Sequence, residues 1–349
     1  MDNKLNKKIA NLSILGQKED DYFSHAPVNE KELILPPTMA NHPAFSKVFI
    51  PGKLTLGLIS PFKGYPDSPF PDISDLGEVA QQAEQAGFAA LWIRDVPFYD
   101  PNFGDVGQEL DPFVTLGYLA AKTNRIALGT TGILAPLRDP IHIAKAAVSL
   151  AKLTSNRFIL GLSTGDRPVE YPAFNVDFAK RADLYREAWE LIKHLTSHSY
   201  PELKTESYGT FRGKIDLVPK LSQALPMIAV GRARQEFSWL ANTPDAWIWH
   251  GFKPEQTTNI NNTIAHLNQD GYWRPLGAGY FIELLEDVEA PLESFNNLYL
   301  KGGAKALGDY FVQQQANGLA HATINLKPTK RPYQEIFEEF QKYILSRLA

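Results

Sequence analysis

The chain has 349 residues, 44% of them apolar, enough to bury a large core and to fill one (β/α)8 barrel with extensions. Thirty-five basic against 39 acidic side chains leave a formal charge of −4 with no basic block, which argues against a nucleic-acid partner. The absence of cysteine removes disulfides, thiolate nucleophiles and cysteine metal sites.

Residues 1–50 read as a largely polar N-terminal extension in which Leu5, Ile9 and Leu12 would form one or two amphipathic turns, and 51–349 as one domain. The extension has neither a signal-peptide core nor a membrane-length apolar run, so a cytoplasmic protein with no membrane partner is the plain expectation. It is expected to lie over the barrel or a neighbouring subunit; a lid over the mouth is the alternative.

A first strand over 54–59 ends at Ser60, Pro61 and Phe62. From Asp75, a candidate N-cap, Leu76, Val79, Ala80, Ala83 and Ala86 mark a helix that stops at Gly87, and 90–94 is a second strand. A helix beginning after Asp111 and Pro112 leads to a third strand near Ile126–Thr130. Ile141, Ala144, Ala147, Val148 and Ala151 then share one helix face before a fourth strand at 158–162. Strand, helix and strand make a βαβ unit, with polar residues at the strands' C-terminal ends where α/β enzymes bind ligands.

A long helix is expected over 178–195. The Tyr-, Ser-, Thr-, Gly- and Pro-rich stretch 196–225 reads as an insertion before the fifth strand, with a hairpin at 209–218. Strands at 226–231, 246–250, 280–285 and 321–326 alternate with helices at 235–241, 254–267 and 304–316, and a closing helix starts at Tyr333. Eight strands alternating with helices favour a closed α/β TIM barrel over an open doubly wound sheet.

LGTTGILAPLRDP, a helix, and then a strand ending FILGLSTGD resemble the central block of the bacterial luciferase-like flavin-dependent monooxygenases, which are (β/α)8 barrels. The Ala-x-x-x-Gly-Phe run before the second strand fits the same pattern, and the resemblance extends from about Leu54 to Leu326. It implies FMN, delivered in reduced form by a separate flavin reductase, molecular oxygen, and a small-molecule organic substrate. It also implies a homodimer packed through helices beside the second and third strands. Two rivals stay open: a deazaflavin coenzyme with hydride transfer on the same barrel, and a flavin-binding barrel without turnover.

Strand ends collect the candidate site residues. The resemblance implies a non-prolyl cis peptide at Thr131-Gly132, with Thr130 beside it, against the flavin ring; a trans strand end is the alternative. Gly231, Arg232, Ala233, Arg234 and Gln235 form a basic turn where the family holds the flavin phosphate, although arginines stand here in place of the usual hydroxyl residues; a solvated turn would look similar. Ser163 and Thr164 would meet the flavin edge or serve as turn caps, and Phe62 and Trp249 would line the cofactor, although Trp249 shares a strand face with Trp247, where core packing is the default.

Asp95 occupies a position where many family members have an acid followed by a histidine, but Val96 cannot move a proton. Asp95 is thus either catalytic or paired structurally with Arg94. His250, at the end of the sixth strand, is the substitute proton carrier or a structural histidine. No metal is expected, since His194 and His198 lack an adjacent glutamate and a third ligand. Gly161-Leu162-Ser163-Thr164-Gly165 matches a nucleophile elbow by letters, without the supporting histidine and acid.

Overall fold

The computed structural model describes residues 33–102 and 110–348. Eight parallel strands form a closed ring: β1 (Thr55–Ile59), β2 (Ala90–Ile93), β3 (Ala127–Thr130), β4 (Phe158–Ser163), β5 (Met227–Val230), β6 (Ala246–His250), β7 (Leu276–Leu284) and β8 (His321–Asn325). Closure comes from β8, which pairs with β7 on one side and with β1 on the other, Thr55 lying opposite His321 and Leu58 opposite Ile324. The helices between strands are α1 (Leu76–Ala86), α2 (Pro112–Lys122), α3 (Pro140–Leu153), α4 (Arg181–Ser197), α5 (Phe237–Asn242), α6 (Pro254–Leu267) and α7 (Ala304–Ala316), and α8 (Tyr333–Glu339) follows β8. The fold is a TIM barrel, as the sequence led one to expect.

Local chemistry explains the helix starts. Asp111 and Asp139 each precede a proline, and their carboxylates accept amide hydrogen bonds from Phe113 and Ile141 at 2.9 and 2.7 Å, satisfying donors that an open helix end would orphan. Asp75 behaves differently from expectation: it makes no side-chain cap, and its carboxylate instead pairs with Lys63 at 2.5 Å. The αL conformation of Gly87 (φ 96°) ends α1.

Strand alternation sorts the core into two bodies. Leu56, Leu58, Leu91, Leu128, Leu160, Leu162, Trp247 and Tyr280 face outward and pack with the apolar stripes of the helices. Ala90, Trp92, Ala127, Ile159, Ile228, Ala246 and Ile248 face inward. Trp92 spans the barrel interior on a shelf made by two residues without side chains. A Cβ at Gly57 would stand 2.5 Å from the indole nitrogen, and one at Gly129 2.3 Å from a ring carbon.

The inner core continues into the chain before β1. Met39, Phe45, Val48 and Phe49, from two short helical turns (Pro37–Ala40 and Phe45–Val48), join the same cluster and plug the N-terminal end of the barrel. The Trp92 indole donates to His321 Nε2 at 2.9 Å, Thr55 Oγ1 contacts His321 Nδ1 at 2.7 Å, and the Thr55 hydroxyl donates to the carbonyl of Val48 at 2.5 Å. Since Nε2 accepts, Nδ1 carries the proton, and the bonds run in one direction from barrel interior to plug. The described part of the extension therefore closes the barrel floor and does not cover the mouth; the turn expected at Leu5, Ile9 and Leu12 lies outside the described residues.

Three details depart from expectation. β7 begins four residues earlier than its apolar run, because Gly277 and Gly279 occupy inward positions opposite Ile248 and His250. The insertion hairpin is Glu202–Lys204 with Thr210–Arg212, earlier than 209–218, and its turn folds onto α4, where the Ser207 amide donates to Glu187. Two further short strands, Glu293–Phe295 and Tyr299–Gly302, extend the sheet beside the upper half of β7. Among the described residues no helix is long and apolar enough to cross a membrane.

Candidate active site

The inward register, continued to the C-terminal strand ends, brings Ile59, Arg94, Thr131, Ser163, Val230, His250, Phe281 and Asn325 around one mouth. The Thr131-Gly132 peptide is cis, as the sequence resemblance implied. The Thr131 hydroxyl is buried and has no hydrogen-bond partner among the described residues, an unusual state for a polar atom in a packed wall. Thr130 is different: its hydroxyl donates to the Gly161 carbonyl and accepts from the Gly161 amide, both at 2.8 Å, so it replaces a missing ladder rung between β3 and β4. Ser163 donates to the Gly132 carbonyl at 3.2 Å and fixes the same turn from the other strand. Thr164 is buried, its carbonyl accepting from the Tyr171 hydroxyl.

The turn after β5 uses three residues at positive φ, Gly231 (66°), Ala233 (48°) and Arg234 (60°), and is held by the Gly231 amide donating to Ile248 and its carbonyl accepting from the Trp247 indole. The expected helix start lies further on, at Phe237. What gathers here is positive charge. Arg234 is exposed, Arg232 lies over the Phe237 ring at 4.6 Å, and Arg181 at the head of α4 lies over Phe178 at 3.6 Å. Burial first, and then the neighbouring charge of Arg234, hold the Arg181 guanidinium below its ordinary pKa. Gln235 is turned away from the mouth: its amide oxygen accepts from Arg186, and its nitrogen donates to Ala182 and Ala233.

Three of the expected site residues, Asp95, Phe62 and Trp249, are engaged within the protein itself. The two oxygens of Asp95 accept Nε and Nη2 of Arg138 at 2.7 and 2.8 Å, and one of them also accepts the Leu134 amide at 3.1 Å. Its described partner is therefore Arg138, not Arg94. Burial opposes the Arg138 charge, yet Asp95 and Asp111 more than offset this and raise its pKa. Phe62 is fully buried within the outer core, and Trp249 stacks on Trp247 at 5.0 Å on the helix side, so neither ring faces the mouth. His250 has the inward register of β6 and is exposed, but its ring folds back against Trp249 and Phe252, with centroids 4.3 and 5.1 Å away, and its Nδ1 lies 3.1 Å from the Gly251 carbonyl; that oxygen can only accept, so Nδ1 donates.

Ile59, Val230, Phe281 and Asn325 were not singled out from the sequence. Strand periodicity could have found them once β1, β5, β7 and β8 had been placed with the right register. The stacked His194 and His198 rings, 4.1 Å apart, have no third ligand, and no group of three metal-ligating side chains occurs among the described residues. After Ser163 the chain enters a loop, not the helix of a nucleophile elbow.

The fold is a TIM barrel whose strand ends carry a cis Thr-Gly step and a cationic β5 turn. Residues 52–271 match the family model described as luciferase-like monooxygenase, and the chain belongs to that family. An F420-dependent glucose-6-phosphate dehydrogenase of Kineococcus radiotolerans is 36% identical over 138 residues, 38% of this chain and 40% of that protein. A 4-hydroxyprotoasukamycin monooxygenase of Streptomyces nodosus subsp. asukaensis is 27% identical over 161 residues, covering 46% and 42%. The crystal structure of monooxygenase RslO1 from Streptomyces bottropensis superposes with a TM-score of 0.69 at 15% identity, over 84% of this chain and all (100%) of that one, a likeness of fold.

Proposed function

We propose that this barrel binds reduced FMN at its mouth and uses molecular oxygen to oxygenate a small organic substrate, the reduced flavin coming from a separate reductase. The supporting observation is the partnerless buried hydroxyl of Thr131 beside a cis peptide: an acceptor or donor on a ligand lying against that wall would satisfy it. The bound flavin would supply the redox chemistry. The protein's share is binding and orientation. Thr131 and Gly132 would back the ring, with Ser163 holding the Gly132 carbonyl, while Arg234, Arg232 and Arg181 would attract the phosphate. His250, exposed where β6 ends, holds a proton at Nδ1, whereas Asp95 is committed to Arg138; we therefore assign proton movement to His250.

A second reading, hydride transfer with a deazaflavin, is favoured by the relatives named as F420-dependent, among them the Kineococcus protein. Equilibrium titration separates the two. Reduced FMN is expected to bind at least about tenfold more weakly to Arg234→Ala than to the parent chain, with riboflavin affinity unchanged, because a charge-assisted phosphate contact is worth about 1.5–3 kcal/mol. Binding of the deazaflavin alone would sink the oxygen reading. No binding of either would remove both.

We extend the proposal to a cytoplasmic homodimer formed through α2 and α3, where Val114 and Tyr118 stand exposed on the outer face of α2. Val114→Glu should shift sedimentation from dimer to monomer; an unchanged sedimentation coefficient would rule this face out.

A further inference from the structure

The carbonyl oxygen of Phe252, two residues beyond His250, is where three donors converge. Gln314 Nε2 of α7 donates to it at 2.6 Å and the Tyr310 hydroxyl, one turn earlier, at 2.7 Å, while the Tyr280 hydroxyl of β7 lies 3.4 Å away. A carbonyl oxygen can only accept, so the amide nitrogen of Gln314 must face it. The amide oxygen then accepts from Thr257 Oγ1 of α6 at 2.8 Å. Gln314 and Thr257 are fully buried, and burial raises the pKa of both phenols, so these groups stay uncharged and keep their donors at neutral pH. Polar side chains in so dry a place are unfavourable unless each is satisfied. These are satisfied through one another and through one peptide oxygen.

That oxygen belongs to the stretch that carries His250. The Phe252 ring packs on the His250 ring, 5.1 Å between centroids, and the carbonyl of the intervening Gly251 accepts from His250 Nδ1. Gly251 sits in a slot: a Cβ there would stand 2.0 Å from the Asn297 carbonyl oxygen and 2.7 Å from the Tyr280 ring. Tyr280 thus meets the loop twice, with its ring at Gly251 and its hydroxyl at Phe252. With Gly251 and Phe252 both held, the acceptor for Nδ1 is held, and neutral His250 carries its lone pair on Nε2.

We infer that Gln314 is a positioning residue for His250. By anchoring Phe252 it fixes the His250 ring and the Gly251 carbonyl, and with them the tautomer in which Nε2 is the nitrogen that takes and returns a proton. Gln314 stands on a helix outside the strand ring, so it acts through this loop and not by touching a ligand. The inference rests on the assignment of proton movement to His250 made above.

The test is the imidazole nitrogen spectrum of the full chain, labelled with nitrogen-15 histidine and free of ligand at about pH 8, with His250→Gln to assign the signal. The parent should show His250 mainly as the Nδ1–H form; an Nε2–H form there would overturn the inference at once. Gln314→Met removes the amide at nearly constant volume and should move the tautomer ratio about fivefold towards Nε2–H. Tyr310→Phe keeps the ring and should move it less, in the same direction; it decides alone if Gln314→Met does not fold. A parental ratio in the folded variants, even with a lowered urea midpoint, would mean that the network only staples α7 to the loop, and the inference would fall. The proton assignment has its own readout, the pH profile of oxygen uptake with reduced FMN. A profile unchanged by His250→Gln would remove that assignment while the tautomer shift stood, whereas a parental tautomer ratio would remove the inference while the assignment stood.

Discussion

Replacing Trp92 by alanine is expected to lower the unfolding free energy by about 3–5 kcal/mol, measured by urea denaturation. The ring is fully buried and is the largest side chain of the inner core, so its loss opens a void between β1, β2 and β3. The surroundings cannot readily refill that void. Two of the residues facing it, Gly57 and Gly129, have no side chain to swing inward, and His321 would lose the donor for its Nε2. Trp92→Phe should recover part of the packing but not the hydrogen bond, and is expected to fall between the parent and the alanine variant. A loss below about 1 kcal/mol for Trp92→Ala would show that the floor collapses onto the gap and that the glycine shelf is not what shapes it.

Acid should act on the same layer. Burial holds the pKa of His321 down to about 3 from 6.5, and that of His42 down to about 4. Both folded-state values are depressed for a base, so between them and 6.5 the unfolded chain binds more protons than the native one. Stability is then fully present above about pH 6.5 and falls as the pH drops towards 3. At about 1.4 kcal/mol per pH unit, the His321 shift is worth about 5 kcal/mol over that window. His42 accepts the amides of Ala44 and Phe45 through Nδ1, so its protonation would also release the second helical turn of the plug. Denaturation midpoints measured from pH 7 to pH 4 should fall with a slope approaching two protons, and His42→Asn should remove about one of them. A flat profile would show that neither histidine is held neutral against solvent.

Most of the barrel could be read from apolar periodicity, since β6, α6 and α7 occupy their expected residues. The failures have physical causes. After Leu276, β7 runs through Gly277, Ala278 and Gly279, which give no clear apolar alternation because the two glycines make room inside the barrel. The acceptor for Arg138 lies 43 residues away in sequence, and only closure of β2 against β3 brings the two together. His321 looked like an ordinary strand residue, because its partners Trp92 and Thr55 become neighbours only when β8 meets β1. In the site, the Thr131-Gly132 step was visible in the motif itself. Alternation along β6 explains why Trp249 joins Trp247 on the helix side, but not the His250 ring, which folds over Trp249 where the strand ends.

The plug has a practical bearing on how the protein is handled. A fragment cut to begin at residue 51 would keep every barrel strand and lose Met39, Phe45, Val48 and Phe49, laying open the apolar underside of the ring and the Thr55 hydroxyl that now donates to Val48. Such a fragment would tend to stick to itself at the end opposite the mouth. Affinity tags and fusion partners therefore belong ahead of residue 33, where they leave the plug in its socket.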